Sequence, residues 1–409
     1  IRCFFPEVVL VAKARTGKGL PQQSLVAKGV ADRFFNVGYV FGKMCDRHGG
    51  LLRVWYPHCS TRRRPLSSCR VPFLRAFWGN VPKRQLTNME MSSLSKEGYR
   101  YKSSKVIRII VSIYIGFAVS SFLALWAAGM SAFDAINHAF SIAATGGFST
   151  KNLSLAYFNS DLINYIFIFF MTICAMHFGL IYSVIVTGSL KPMNNAIVKY
   201  YLGSIVVCSV IVMFSLMTQG GYTSWGRAAM DSTFTVVSYM STAGFAICDN
   251  STWPALAGIV LIFVSFQCGC SGSTTGGIKV DRIIIAFKSI VHETKRRLHP
   301  SAVSHVRLGG HNITDDAISA VMMFIVVYMF TMFISVLGVM LCGTDAATAF
   351  SGVVASLGSV GPGLGELGCM DNFSAQPSVA KFIYSFDMFL GRVEIFPVLV
   401  VLSMIFRRR

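Results

Sequence analysis

Thr145-Gly146-Gly147-Phe148 decides the reading of this chain, because a short pattern of the same kind returns as Thr242-Ala243-Gly244-Phe245 and as Ser359-Val360-Gly361-Pro362. Each copy follows a stretch of mixed polarity, which itself follows a long apolar run, and another long apolar run comes after it. The repeated unit is therefore a span, a half-helix ending in a loop, and a second span. Irregular backbone at membrane depth is tolerated only where it lines a watery cavity or is buried in protein, so glycine loops between spans point to a pore. Glycine at the third position leaves the peptide carbonyls free to turn towards an axis, where they replace the water around a cation. The predicted ion-binding residues are Thr145, Gly146 and Gly147, Thr242, Ala243 and Gly244, and Ser359, Val360 and Gly361. The fold class is an all-α membrane protein of three such units around an ion pathway.

The composition agrees. Hydrophobic residues make up 53% of the 409 and charged residues 13%, where a soluble fold carries about twice that charged fraction. The net charge of +19 is concentrated before the first span, where residues 1–100 hold 18 Lys and Arg against 5 Asp and Glu. That region has no apolar run near the ~18 residues needed to cross a membrane, so it reads as a non-membrane stretch, disordered or non-native. Its basic run Arg62-Arg63-Arg64 lacks the context of a nucleic-acid-binding motif, and no nucleic-acid partner is expected. No secretory signal opens the chain. The 11 cysteines show no framework spacing, and several sit in apolar runs as small hydrophobes, so disulfides are not expected. Cys268-Gly269-Cys270 has no neighbouring His or Cys to complete a metal site.

Taken in order, residues 106–128 form the first span, with Arg100, Lys102, Lys105 and Arg108 placing its start in the cytoplasm. Ser131 is a plausible N-cap for a half-helix over 133–144, too short to cross, whose partly negative C-terminal end points at Thr145 and favours a cation there. The next span runs from Asp161 to about Leu190 and stops at Lys191-Pro192. The second unit has a span over 197–218, a half-helix over 225–241, and a return span from Trp253 towards Lys288. That return span is interrupted over 267–277 by glycines and hydroxyl residues that cannot hold a helix in lipid. The third unit spans 316–342, has its half-helix over 344–357, and returns over 381–406. Basic loops fall inside throughout, and the C-terminus is cytoplasmic. Asp161, Asp249, Glu366 and Asp371 fall outside, either concentrating cations at the pore mouth or serving as ordinary solvated charge. The domains are thus a basic region 1–87 and three pore units, 88–192, 193–312 and 313–409.

No catalytic constellation is present. His138 and His177 lack a nucleophile and carboxylate arranged as a triad and read as packing residues. The glycines of 269–277 do not make a phosphate loop, since Lys279 is followed by Val280 and the context is a span. The interruption instead reads as a barrier with few packing contacts, able to take more than one arrangement. Arg392, inside the last span, is too costly to face lipid and should turn inward, its donors reaching the loop's carbonyls or the neighbourhood of Glu394. The alternative is a glycine-rich packing site with a structural arginine.

The series Ala-Thr-Gly-Gly-Phe-Ser-Thr (144–150), Ser-Thr-Ala-Gly-Phe (241–245), Gly-Cys-Ser-Gly-Ser-Thr-Thr-Gly-Gly-Ile-Lys (269–279), Ser-Val-Gly-Pro-Gly-Leu-Gly (359–365) and Gly-Arg-Val-Glu-Ile-Phe (391–396) resembles the Trk/Ktr family of potassium uptake proteins. The resemblance covers about residues 88–409. It implies four span-loop-span units around a pseudo-fourfold pathway, of which these are the second, third and fourth. It also implies K+ as the transported ion at the filter residues, with no covalent cofactor, and a gating loop that includes Gly269, Ser271, Gly272, Ser273, Gly276 and Gly277, approached by Arg392. The implied setting is a multi-pass protein of the cell membrane, a homodimer, with a cytoplasmic nucleotide-binding regulatory subunit as partner. That subunit would dock around Lys288, Lys295, Arg296, Arg297 and Arg307, a surface that is otherwise solvated or faces membrane lipid. The family's first unit has no counterpart before Tyr101. The expectation is therefore either a truncated, non-conducting fragment or scaffold, or a ring completed by a second polypeptide.

Overall fold

The computed structural model describes residues 103–299, 306–308, 311–371, 373–393, 395–396, 398–399 and 403. The readings made of the basic region 1–87, of Glu394 and of the terminal arginines lie outside these residues.

Eleven helices are described. In the first unit α1 (Ser103–Ala127) is followed by the half-helix α2 (Ala132–Ala143) and by α3 (Asp161–Cys174) and α4 (Phe178–Thr187). The second unit contains α5 (Ala196–Gln219), the half-helix α6 (Trp225–Met240), α7 (Ala255–Gln267) and α8 (Val280–Leu298). A two-residue antiparallel pair, β1 (Arg307–Leu308) with β2 (His311–Asn312), leads into the third unit. That unit has α9 (Asp315–Met340), the half-helix α10 (Ala346–Leu357) and α11 (Ser378–Val393).

Residues 110–127 of α1, with α5 and α9, are long and apolar enough to cross a membrane, yet only 28%, 39% and 28% of their most apolar windows is buried. Apolar side chains left on an outer surface in such number need a hydrocarbon solvent, since a water-soluble protein rarely exposes so large a patch. Two of the half-helices, α6 and α10, invert this pattern, while α2 keeps Phe133, Ile136 and Phe140 exposed. α6 is buried at nearly every position from Met230 to Met240, and α10 at every position from Ala349 to Leu357 except Phe350. A short helix covered on all sides belongs at the centre of a bundle. Each half-helix packs on the spans of its own unit, and α7 against α10 joins the second unit to the third.

Two spans are broken. The predicted interruption of the second unit is present, with α7 ending at Gln267 and α8 starting at Val280. The continuous span expected from Asp161 to Leu190 is not formed: α3 and α4 meet at an angle of 99°. Ala175 and Met176 leave the helix and His177 caps the next one, its Nδ1 accepting the Gly179 amide at 3.0 Å. The bend places backbone groups against the interruption of the second unit. The Cys270 amide donates to Ala175 O at 2.9 Å and the Phe178 amide to Gly272 O at 3.2 Å. Two breaks that would each leave unpaired amides in an apolar medium thus satisfy one another.

Candidate ion pathway and its loop barrier

The three half-helices end in one repeated backbone motif. Thr145, Thr242 and Ser359 have φ of 50°, 53° and 55°, a left-handed conformation that non-glycine residues rarely adopt. Two residues later Gly147, Gly244 and Gly361 again have positive φ, at 70°, 75° and 108°, while Gly146, Ala243 and Val360 between them do not. The first amide of each loop turns back to the preceding helix at 2.9–3.0 Å, Thr145 to Ile142 O, Thr242 to Tyr239 O and Ser359 to Ser356 O. Local strain of about 1–3 kcal/mol per left-handed side chain persists only where the surroundings impose it. Here it is imposed three times at equivalent positions.

The loops stand side by side in chain order. A Cβ on Gly147 would lie 2.0 Å from Ala243 O, and a Cβ on Gly244 would lie 2.4 Å from Val360 O. The glycines of the first two loops therefore lie against the next loop's middle carbonyl, from the first unit to the second and from the second to the third. A Cβ on Gly361 meets nothing within 4 Å among the described residues. Half-helices that end at these loops also present the partly negative ends of their dipoles to them.

Second contacts hold the loops from behind. His138 of α2, buried, bonds Asp134 O and Ser149 Oγ at 2.7 and 2.9 Å, and its ring packs against Phe158, Phe167 and Phe245. It is a packing residue, as its sequence context suggests. The Leu155 amide donates to Ala246 O at 3.0 Å, tying the first unit's outer loop to the second's. Asn250 does the same between the second and third: its Nδ2 donates to Tyr239 OH at 2.8 Å, its Oδ1 accepts the Cys369 amide at 3.0 Å, and Tyr239 OH donates to Gly363 O at 3.1 Å. Burial pushes the Cys369 thiol up to about 12. Asp161, Asp249, Glu366 and Asp371 are all exposed, and Asp161 approaches Arg227 at 4.0 Å.

The glycine-rich loop over 268–279 sits against the inner ends of these motifs. Thr145 Oγ1 lies 3.2 Å from Thr274 O, and Thr242 Oγ1 accepts the Gly276 amide at 3.3 Å. A Cβ on Gly276 would lie 2.7 Å from Gly358 O, so this loop crosses close beneath the third half-helix. Thr274 O is also bonded by Arg392 Nη1, which places the arginine on a loop carbonyl, as the cost of facing lipid demands. The composition of the loop suggests few packing contacts; instead Cys268, Gly269, Cys270, Ser271, Thr275, Gly276 and Gly277 are all buried. The reason lies in the bent α3–α4 segment described above and in Asp281, whose Oδ2 accepts the Ser271 amide at 2.9 Å. Ser273 Oγ donates to Cys270 O at 2.7 Å, closing the turn from inside.

Three contributors escaped sequence reasoning. His177 and the bend before it lie in an unbroken apolar run whose one hint is Gly179. Gly391 lets α11 approach α10 so closely that a Cβ would fall 1.9 Å from Leu357 O. Asn250 looks like a polar loop residue until its two bonds are seen.

These features define a class: a helical membrane transport protein in which span, half-helix and span repeat about a shared set of carbonyl loops. The chain belongs to the TrkH family of cation transport proteins, whose family model matches residues 78–225 and 219–407. It is 37% identical over 330 residues to the Trk system potassium uptake protein TrkH of Salmonella typhimurium, covering 79% of this chain and 67% of that protein. It is 32% identical over 312 residues to the Trk system potassium uptake protein TrkI of Halomonas elongata, covering 75% and 63%. Among solved structures it matches the potassium transporter TrkH from Vibrio parahaemolyticus with a TM-score of 0.69 at 34% identity, covering 75% of this chain and 65% of that one. The chain thus spans about two thirds of the length of the relatives it matches. The family is one of transporters and not of enzymes.

Proposed function

We propose that this chain is a K+-transporting subunit of Trk type, in which Thr145, Gly146, Gly147, Thr242, Ala243, Gly244, Ser359, Val360 and Gly361 line the selectivity filter. The observation that carries the reading is the threefold recurrence of alternating φ sign, with Gly147 and Gly244 each against the next loop's carbonyl. Alternating hands along a short loop turn successive carbonyls to one side, so the loops can together replace the hydration shell of a bare monovalent cation. The pore units are 88–192, 193–312 and 313–409, equivalent to the second, third and fourth of the family. Loop 268–279 is the gate: it lies across the inner ends of the filter, and Arg392 adds a positive charge that opposes a cation there. Conduction requires the loop, with Gly269, Ser271, Gly272, Ser273, Gly276 and Gly277, to move aside.

A second reading has its own support at Gly361, where a Cβ would meet nothing within 4 Å among the described residues. Without a fourth loop at that side the filter has three quarters of its carbonyls and an open wall, which suits a non-conducting fragment or scaffold. K+-limited growth of an uptake-deficient cell separates the two. Rescue by this chain alone establishes transport; rescue only by a longer chain, or with a second polypeptide, establishes the fragment.

The basic ends then face the cytoplasm, including the C-terminus, in a multi-pass protein of the cell membrane that pairs as a homodimer. A nucleotide-binding regulatory subunit docks on the basic surface of α8, where Arg296 and Arg297 flank Glu293 at 3.1 and 3.4 Å and remain exposed. Changing Lys295, Arg296 and Arg297 to Glu abolishes co-purification of that subunit if this surface is the dock.

A further inference from the structure

A cavity of about 510 Å3 opens between the α4–α5 connection, α8 and β1, away from the ion pathway. Lys191, Lys288 and Arg307 line it together with Asn194 and Asn195, and no acidic side chain does so among the described residues. The three cations come from three separate elements, so their convergence is a product of the fold and not of one basic run. Lys288 Nζ donates to Arg307 O at 2.7 Å, which holds the ammonium at the rim without neutralising it. Arg307 Nε donates to Asn312 Oδ1 at 3.0 Å, leaving the outer guanidinium nitrogens for another acceptor. Exposed apolar side chains stand close in sequence to two of the cavity's lysines. Ile185 of α4 and Phe287 of α8 are 67% and 68% exposed, and Leu190 directly precedes Lys191.

We propose that this cavity binds the phosphate headgroup of an anionic phospholipid, with the acyl chains lying along the apolar surface of α4 and α8. A phosphate presents the oxygen acceptors that two ammonium groups and a guanidinium fork satisfy. The exposed Ile185 and Val186 of α4 and Phe287 of α8, the helices that border the cavity, favour an amphiphile over a free anion, because a soluble phosphate gains nothing from them. The cavity's place at the cytoplasmic boundary rests on the topology proposed above, whereas binding measured in detergent is independent of the side it faces and of transport.

The test titrates phosphatidylglycerol, phosphatidylcholine and inorganic phosphate separately into the detergent-purified full chain and follows the thermal midpoint. Phosphatidylglycerol raises the midpoint and the other two do not. Each of K191Q, K288Q and R307Q weakens the apparent affinity about fivefold, which is about 1 kcal/mol for one charge near a lipid phosphate, and the triple variant loses the shift. A K295Q/R296Q/R297Q protein keeps it. An equal shift with inorganic phosphate, retention of the shift in the triple variant, or equal loss in the distal variant each overturns the proposal. The single variants carry the test should the triple variant not fold.

Discussion

Replacing Gly244 by Ser places a side chain at a confined point of the proposed filter, between the second loop and the third. Its Cβ would sit 2.4 Å from Val360 O and 3.2 Å from Pro362 Cδ. Real Cβ contacts essentially never fall under 3.0 Å, so one of two backbones must retreat by at least about 0.6 Å. Neither yields freely, since Gly244 is fixed by its own amide to Ser238 O at 3.3 Å and Val360 by its amide to Ala355 O at 2.9 Å. Serine must also hold φ near +75°, which costs about 1–2 kcal/mol before any clash is counted. Overpacking in a tight site adds about 1–3 kcal/mol. The displaced group is a carbonyl proposed to ligate the ion, so the strain appears as a change in ligand geometry. A loss of about 1.4 kcal/mol in K+ over Na+ discrimination is a tenfold fall in the flux ratio. The assay is the relative uptake of the two ions by vesicles containing the variant in a transport-competent form, at matched protein amount. An unchanged ratio with normal surface amount refutes the assignment of Gly244 to the filter, whatever happens to total flux.

Deleting residues 272–276 removes the Thr274 carbonyl and the Gly276 amide that meet Thr145 and Thr242, and should raise flux at unchanged surface amount; flux at or below the parent's shows that the loop is not the gate. Arg392→Ala removes the other bond to Thr274 O and should raise the basal flux by a smaller factor, with the ion preference unchanged. Gly391→Ala forces α11 from α10 by more than 1 Å at Leu357 O and should cost about 2–3 kcal/mol, read as a lower thermal midpoint in detergent; an unchanged midpoint would show that the two helices part without cost. Asn250→Ala leaves Tyr239 OH and the Cys369 amide without their shared partner. It should destabilise by about 1–3 kcal/mol and lower flux more than Gly391→Ala at equal loss of stability, because the bond joins two filter loops.

What could be read from the chain and what could not divide along a physical line. Half-helices and loops were legible because an apolar run too short to cross, followed by Thr-x-Gly, is a local signal. Ser131 as N-cap was equally local, and its Oγ does accept the Asp134 amide at 3.1 Å. The break at Cys268 was legible because glycine and serine disfavour helix wherever they stand. The 99° bend after Cys174 was not, because Ala175, Met176 and Phe178 are compatible with a straight span. What bends it is tertiary: the amides of Cys270 and Phe178 find carbonyls only if both segments open together. The burial of loop 268–279 was missed for the same reason, since several of its contacts come from residues about a hundred positions earlier.

That mutual dependence shapes the proposed mechanism. Thr145 and Thr242 carry the left-handed turns that begin two filter loops, and their hydroxyls are also the groups that meet the loop beneath. A loop that moves aside must give up Thr242 Oγ1 and the approach to Thr145, so opening acts on the residues that set the filter's geometry. Ser359 differs: its Oγ is buried and has no hydrogen-bond partner among the described residues, although Gly276 passes close by. Among the described residues, the first two of the proposed filter loops meet the proposed gate through hydrogen bonds and the third through the close approach of Gly276 to Gly358 and Ser359. Moving the loop costs least at its Ser359 side, and that side is also where Gly361 faces open space. In the proposed mechanism a gate held at Thr145 and Thr242 would therefore release first at Ser359.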